Sequence, residues 1–363
     1  MKKTLTLILL FVTFLFTGKT LAQDSDTEKA QIHFSGFVDV YYAYDFNKPA
    51  DGQRQDFFFN HNRHNEFTVN LGLLKIGVEH EKYRANLALQ AGTFVNDNFA
   101  AEPGSLKNIF EANVGLSLNK QNNLWLDAGI FPSHLGFESA ISTDNLTLTR
   151  SLVAESSPYY LAGAKMTYNP TEQWELLLVL CNGWQRMQRV PGNSMMSYGT
   201  QVSYKPSENT TLNWSTFYGT EDPDSLRRNR FFNNVYGIFQ LTDNVELIAG
   251  VDFGFQQKAK GSSENDTWVA PVLIAQYRFD EKWAAAFRAE YFKDESQVII
   301  APETENGFNT MGYSLNLDYR PLPKVACRIE SRWLNSKDAI FTEGSNQVDS
   351  NLFVVASIAV KIE

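Results

Sequence analysis

Charged side chains recur at every second position in many segments of this 363-residue chain. Alternate side chains of a β-strand point to opposite faces, so these charged residues would share one face of each strand. They are Arg84, Glu111, Asp127, Lys165, Glu246, Asp252, Arg288, Glu290, Asp318, Arg320, Arg328, Glu330 and Arg332. Ionised groups at this density need water or ionic partners, so we expect them to line a water-filled passage. The alternative is a closed barrel whose interior charges pair into a salt-bridge plug.

Arginines and acidic residues are separated along the chain. The strands predicted near 283–333 concentrate Arg288, Arg320, Arg328 and Arg332, whereas the longest connecting segment, 132–159, carries Glu138, Asp144 and Glu155. If this segment folds inward, its carboxylates would face an arginine-lined wall. The field between them would orient polar solutes and reject apolar ones, so we predict a constriction loop. The alternative is an ordinary exposed loop.

The five histidines offer little catalytic or metal-binding chemistry. His61 and His64 flank a cationic Arg63 and have no nearby cysteine or third histidine, so we expect no metal site. His134 follows Ser133, but no acidic partner stands at the spacing of a nucleophile elbow. We therefore predict no enzyme and no cofactor.

Composition limits the class of protein. The chain is 43% apolar and 13% aromatic, too apolar for a disordered chain, and two cysteines are too few for a disulfide scaffold. Cys181 and Cys327 fall on predicted strands about eight apart and on opposite faces, so we expect no disulfide. After the N-terminal apolar run, no stretch approaches 18 uncharged apolar residues, which excludes transmembrane helices.

The first 22 residues have the pattern of a secretory signal peptide. Lys2 and Lys3 precede an apolar run, 5–16, and small residues stand at the cleavage-specifying positions Thr20 and Ala22. The alternative, a membrane-anchoring helix, would need a longer apolar run. Removal of this segment also removes three lysines and takes the net charge from −9 to −12. A chain this acidic is a poor nucleic-acid binder.

Polar and apolar residues alternate from residue 32 to residue 362. The segment 32–46, for example, places Phe34 and Val38 on one face and His33 and Asp39 on the other. About sixteen such segments occur, joined by connections that are alternately short and long. This organisation is typical of a transmembrane β-barrel with short periplasmic turns and long extracellular loops. A secreted β-sandwich or solenoid is the alternative, but its strands are usually shorter.

Aromatic residues mark one end of these strands. They stand beside the short connections, where amphipathic rings settle at the level of the lipid headgroups. They are Tyr168, Tyr204, Tyr277, Tyr319, Trp174 and Trp283. Their position predicts an aromatic girdle at the periplasmic rim.

Several stretches resemble a known family. They are GIFPSHLGFESAISTDNLTLTRSL at 129–152, SSPYYLAGAKMTY at 156–168, NGWQ at 182–185 and YGTQVSYKP at 198–206. Together they resemble the OmpL-like outer-membrane β-barrel porin family of Gram-negative bacteria, from about residue 32 to the C-terminus. The resemblance implies a passive channel in the bacterial outer membrane.

These observations predict three parts: a signal peptide at 1–22, a short polar segment at 23–31, and an all-β outer-membrane barrel of about 16 antiparallel strands at 32–363. We expect outer-membrane lipid outside and small hydrophilic solutes or ions inside. Barrels of this size are commonly trimers, so a homotrimer is one expectation, although no residue identifies an interface. The alternative function is a non-conducting barrel that acts as a receptor, an adhesin or a subunit of an outer-membrane complex.

Overall fold

The computed structural model describes residues 29–363. The predicted signal peptide at 1–22, and most of the polar segment at 23–31, lie outside the described residues. No helix in the described part of the chain is long and apolar enough to cross a membrane.

Sixteen antiparallel strands close into a barrel, and the first strand pairs with the last. The alternation of polar and apolar residues therefore predicted the architecture and the strand number correctly. The barrel strands are β1 (Gln31–Asp45), β2 (Phe67–Glu79), β3 (Tyr83–Ala91), β4 (Ile109–Ser117), β5 (Leu124–Pro132), β6 (Tyr160–Thr171), β7 (Trp174–Cys181), β8 (Ser197–Ser207), β9 (Thr210–Gly219), β10 (Arg230–Thr242), β11 (Val245–Gln257), β12 (Asn265–Arg278), β13 (Trp283–Asp294), β14 (Phe308–Leu322), β15 (Val325–Ser336) and β18 (Ser350–Ile362).

The remaining elements lie in the long connections. They are α1 (Thr93–Asn98), α2 (Leu152–Glu155), two 3-10 turns (Gly104–Asn108 and Ser142–Asp144) and a hairpin of β16 (Phe341–Glu343) and β17 (Asn346–Val348). The sequence pattern predicts a strand at 83–95. The predicted C-terminal end is wrong, because β3 ends at Ala91. Gly92 has a φ of +136° and ends β3, and Phe94 and Val95 are then buried on α1.

The barrel exposes apolar side chains and buries charged ones. On its outer face Phe67 is 82% exposed and Phe34 is 67% exposed, whereas Asp39 and Glu330 are fully buried inside. Soluble proteins bury apolar side chains and expose charged ones, so this distribution is the reverse of theirs. It is the distribution expected of a barrel wall surrounded by lipid. The strands thus carry a lipid-facing side and an enclosed side.

The predicted girdle forms at the short-turn rim. Trp174 stacks on Tyr204 with ring centroids 4.2 Å apart, and Trp283 packs on Tyr319 at 4.5 Å. These pairs join neighbouring strands on the outer face. The lengths of the connections assign the short turns to the periplasmic rim and the long loops to the extracellular one.

A bulge in β2 brings Asn70 into the barrel. The sequence pattern places a change of face between Leu71 and Leu74, whereas in the structure the pairing with β1 shifts at Asn70. Leu71 is an apolar residue buried on the inner face. The alternation of polar and apolar residues therefore does not show where the pairing shifts. The bulge lets the Asn70 amide oxygen accept from the backbone N–H of His61 at 3.0 Å.

The extracellular half of the interior contains a large cluster of apolar side chains. Inward side chains from most strands pack against the loops that enter the barrel, including Phe217, Phe232, Trp268, Phe292, Phe308 and Phe353. These residues stand on the same strand faces as the inward charges, nearer the long loops. The apolar cluster therefore shares the extracellular half with buried polar residues such as Asp45 and Asp294.

Candidate functional site: the interior loop and its charged wall

Six charged side chains of β13, β14 and β15 form two neighbouring ion-paired groups on the inner wall, one of four residues and one of two. Arg288 lies 2.8 Å from Glu330 and 3.3 Å from Glu290, Arg332 lies 2.5 Å from Glu290, and Arg328 lies 2.7 Å from Asp318. We call these six residues the buried charge network, because none is more than 4% exposed. Charges removed from water persist only with ionic or hydrogen-bonding partners, and here they supply them to one another.

Residues 132–159, which we call the interior loop, lie against this network inside the barrel. Arg288 donates to the carbonyl oxygen of Thr149 at 2.6 Å, and Glu330 accepts from the Thr149 backbone N–H at 2.6 Å. Glu290 accepts from the backbone N–H of Leu152 at 2.7 Å. Since charged groups make the stronger hydrogen bonds, these contacts fix the loop backbone to the wall.

Two more arginines of the wall bind carbonyl groups of the interior loop close to Thr149. Arg328 donates to the carbonyl oxygens of Ser142 at 2.5 Å and Asn145 at 3.1 Å. Arg332 donates to the carbonyl oxygen of Arg150 at 2.8 Å. The arginine wall is therefore the surface to which the loop is attached.

The attachment of the loop contradicts part of the prediction that the inward charges line a water-filled passage. Arg288, Glu290, Asp318, Arg328, Glu330 and Arg332 point inward as predicted, but within the described residues they are covered by the interior loop and do not border water. Most of their polar atoms bond to one another or to loop carbonyl, N–H and hydroxyl groups, whereas Arg288 Nε, Glu290 Oε1 and two nitrogens of Arg332 make no hydrogen bond among the described residues. In this conformation they belong to the packing of the loop.

The three acidic residues of the loop also have other partners than expected. Glu138 accepts from the hydroxyl and N–H of Ser151 within the loop, and Asp144 pairs with Lys361 of β18. Glu155 accepts from the Phe59 N–H at 3.0 Å and from the Asn60 amide at 3.1 Å. The expected arrangement of these carboxylates facing an exposed arginine wall is therefore wrong in this conformation.

The other predicted lining residues lie on the inner face in smaller groups. Arg84 pairs with Asp127 at 2.6 Å, Lys75 with Glu111 at 2.7 Å, and Arg278 with Glu246 at 2.6 Å. Lys165 lies over the Phe131 ring, Asp252 accepts from the Asn234 amide at 2.6 Å, and Arg320 is exposed near the short-turn rim. Arg84, Lys165, Glu246 and Arg320 keep exposed surface, whereas Glu111, Asp127 and Asp252 are buried.

Two buried loop arginines were not identified from the sequence. Arg54 lies between the rings of Phe58 and Phe353, and Arg150 lies against Tyr159. Both are 3% exposed, and each has two side-chain N–H groups without a hydrogen-bond partner among the described residues. Because loop residues lack periodicity, no pattern in the sequence marks them.

Burial shifts the ionisation of groups in these loops. It lowers the pKa of Arg54 and of Arg150 to about 10, against the opposing effect of nearby carboxylates. Burial likewise raises the pKa of Glu138 and lowers that of His134 to about 4. At neutral pH both arginines stay charged and His134 is neutral.

Cavities lie on both sides of the interior loop. An outer cavity of about 750 Å³ is bordered by residues 49–59, 155–157 and 299–302. An inner cavity of about 590 Å³ is bordered by residues 132–141, 157–160 and 361–363. Both reach Ser157, so the segment 154–159 separates them, and we call this segment the partition.

The histidines and cysteines take structural positions. His61 Nε2 lies 2.9 Å from Asp39, and His134 Nε2 lies 2.9 Å from the carbonyl oxygen of Thr216. The described residues contain no cluster of three or more metal-ligating side chains. Cys181 is buried on the inner face, and Cys327 is a half-buried free thiol on the outer face.

A closed antiparallel barrel with an apolar outer face, an aromatic girdle and a loop folded into a partly charged interior defines the class of outer-membrane β-barrel channels. Within this class, the family described as "Putative beta-barrel porin-2, OmpL-like" matches residues 31–362. The chain belongs to this family and is a porin of the bacterial outer membrane. Among curated proteins, none matches this chain in sequence.

Solved porins share the fold at low sequence identity. An anion-selective porin from Comamonas acidovorans is 11% identical, with a TM-score of 0.64 over 92% of this chain and 100% of its own. The outer membrane channel DcaP of Acinetobacter baumannii is 12% identical, with a TM-score of 0.60 over 94% and 100%. The trimer form of OmpT from Vibrio cholerae is 9% identical, with a TM-score of 0.57 over 92% and 100%.

Proposed function

We propose that this porin passes small hydrophilic solutes or ions from the outer cavity to the inner cavity, and that the interior loop forms the constriction between them. One observation carries the proposal: both cavities reach the same residue, Ser157, from opposite sides of the partition. Arg84, Lys165, Glu246 and Arg320 would line the periplasmic part of the route, since they face inward and keep exposed surface.

The constriction can be tested by adding bulk at Ser157. Ser157→Cys, in a background carrying Cys181→Ala and Cys327→Ala, would be treated with a charged methanethiosulfonate reagent during planar-bilayer recording. We expect single-channel conductance to fall after modification. The matched control is Ser263→Cys, which stands on an exposed extracellular loop.

Unchanged conductance after modification of the thiol introduced at position 157, verified by mass spectrometry, would contradict the proposed route. Deletion of residues 132–159 provides a second test, because removal of a constriction should raise conductance. Silent bilayers at adequate protein loading would favour the alternative of a non-conducting receptor, adhesin or complex subunit.

A homotrimer is the assembly that we propose. The fold is similar to porins that include a trimer form. Native mass spectrometry of the detergent-extracted protein would test it, with a trimer as the expected mass and a monomer as the contradicting one. We propose no catalysis, since among the described residues no serine, threonine or cysteine side chain donates to a histidine ring nitrogen.

A further inference from the structure

An apolar wall borders the outer cavity at the level where the extracellular loops meet water. It consists of Ile299, Ile300, Ala301 and Pro302 from the loop between β13 and β14, with Ile340 from the next long loop. Apolar side chains grouped in a water-accessible concavity indicate a ligand-binding surface. Passage of water or inorganic ions does not require such a wall.

The wall is held in place by one buried carboxylate. Asp294, at the end of β13, accepts from the backbone N–H groups of Val298 at 2.9 Å, Ile299 at 2.6 Å and Ile300 at 3.0 Å. Its side chain is fully buried. Three charge-assisted hydrogen bonds to consecutive residues give the segment a defined shape before any ligand arrives.

Aromatic rings border the same cavity from the other loops. Phe57 packs against Phe308 at 5.0 Å, and Trp184 packs against Phe217 at 5.0 Å and Phe232 at 4.9 Å. These contacts anchor the rings on the apolar interior. The cavity therefore offers rigid apolar and aromatic surface within a volume of about 750 Å³, a size typical of small-molecule sites.

The accessible charge in the cavity is negative. Among the described residues that border it, Asp51 and Asp56 are exposed, whereas Arg54 and Glu155 are buried. The Arg54 guanidinium lies 3.3 Å from the centroid of the Phe353 ring. Glu155 uses both carboxylate oxygens on the first long loop. A positively charged solute would thus meet carboxylates, and an anionic solute would be repelled.

We propose that the outer cavity is a binding site for organic cations with an apolar body. The ammonium group would lie near Asp51 and Asp56, with the apolar body between the isoleucine wall and the rings of Phe57 and Trp184. The site rests on the proposed function, because binding above the partition would select which solutes enter the channel. It adds a substrate class to that function.

The test is block of ion current by three matched probes: benzyltrimethylammonium, tetramethylammonium and benzoate. We expect benzyltrimethylammonium to block with an affinity about tenfold higher than tetramethylammonium, because its ring buries apolar surface. Benzoate should block least. The variant Asp51→Asn/Asp56→Asn should weaken block by benzyltrimethylammonium about three- to fivefold.

The matched control is Asp243→Asn/Glu281→Gln, which removes two exposed carboxylates at the short-turn rim and should leave block unchanged. Equal block by the two cations, or stronger block by benzoate, would overturn the inference while leaving the channel intact. If no channel current is observed in bilayers, the site can still be tested by titration calorimetry of benzyltrimethylammonium into the refolded protein and into its Asp51→Asn/Asp56→Asn variant. Tighter binding to the unaltered chain supports the site, and absence of that difference overturns it.

Discussion

Glu330 accepts hydrogen bonds from Arg288 at 2.8 Å and from the Thr149 backbone N–H at 2.6 Å, so one carboxylate joins the barrel wall to the interior loop. All three residues are at most 3% exposed. Charge-assisted hydrogen bonds therefore join the interior loop to the barrel wall. Changes on either side should affect both.

Removal of one partner tests this connection. Glu330→Gln leaves Arg288 and Arg332 to share Glu290 as the carboxylate within ion-pair distance, so one positive charge in this buried site loses its counterion. We expect a loss of about 3–5 kcal/mol in the free energy of unfolding. Urea unfolding in detergent micelles would measure it. Lys324→Met, which breaks an exposed pair 3.5 Å from Glu363, should change the same quantity by about 1 kcal/mol or less. Equal effects of the two substitutions would contradict a buried network.

How far the sequence predicts this molecule follows from what periodicity encodes. Alternation identifies which face of each strand turns inward, so the barrel, its strand number and the inward direction of Arg288 and Glu330 were predictable. Alternation cannot show that Thr149 covers Glu330, because the two residues stand 181 positions apart and the loop has no period. The charges of the wall were therefore mistaken for a surface exposed to water.

The apolar part of the interior did leave a signal. Residues 176–180 of β7 read Leu-Leu-Leu-Val-Leu without alternation, and Leu177 and Val179 are buried inside. A strand that is apolar on both faces meets lipid on one side and a packed interior on the other. Its recognition would have predicted that loops pack into the extracellular half of the barrel.

Glu155 holds the partition to the first long loop, so its removal should loosen the constriction. In Glu155→Ala, the Phe59 N–H loses its acceptor and the Asn60 amide keeps only the Tyr159 hydroxyl. We expect a larger or more variable single-channel conductance, measured in planar bilayers. Glu295→Ala, which removes an exposed carboxylate from an extracellular loop, serves as the control. Identical conductance in both variants would argue against this contact as the one that holds the partition.

His134 should make folding stability depend on pH. Burial lowers its pKa to about 4, although the hydrogen bond to Thr216 opposes the shift, while the unfolded chain has an ordinary value near 6.5. Between these values the unfolded state binds a proton that the folded state does not, so this contribution is lost as pH falls from about 6.5 to about 4. The loss should reach about 3 kcal/mol.

Replacement of the imidazole isolates that contribution. His134→Gln keeps a side-chain amide near the Thr216 carbonyl and does not titrate, so its unfolding free energy should fall less than that of the unaltered chain over this pH range. Urea unfolding at several pH values measures the difference. Parallel pH curves for the two proteins would show that His134 does not contribute.

Asp294 should control the order of the apolar wall. In Asp294→Ala, the N–H groups of Val298, Ile299 and Ile300 lose a buried acceptor, so their amide hydrogens should exchange faster with solvent. Asp280→Ala is the matched control, because Asp280 accepts from the Lys282 and Trp283 N–H groups in a periplasmic turn. Hydrogen–deuterium exchange with mass spectrometry should show faster exchange at 298–300 in the first variant only. Since the cavity volume depends on the position of this segment, the first variant should also bind apolar cations less tightly, whereas unchanged exchange at 298–300 would mean that other contacts hold the wall.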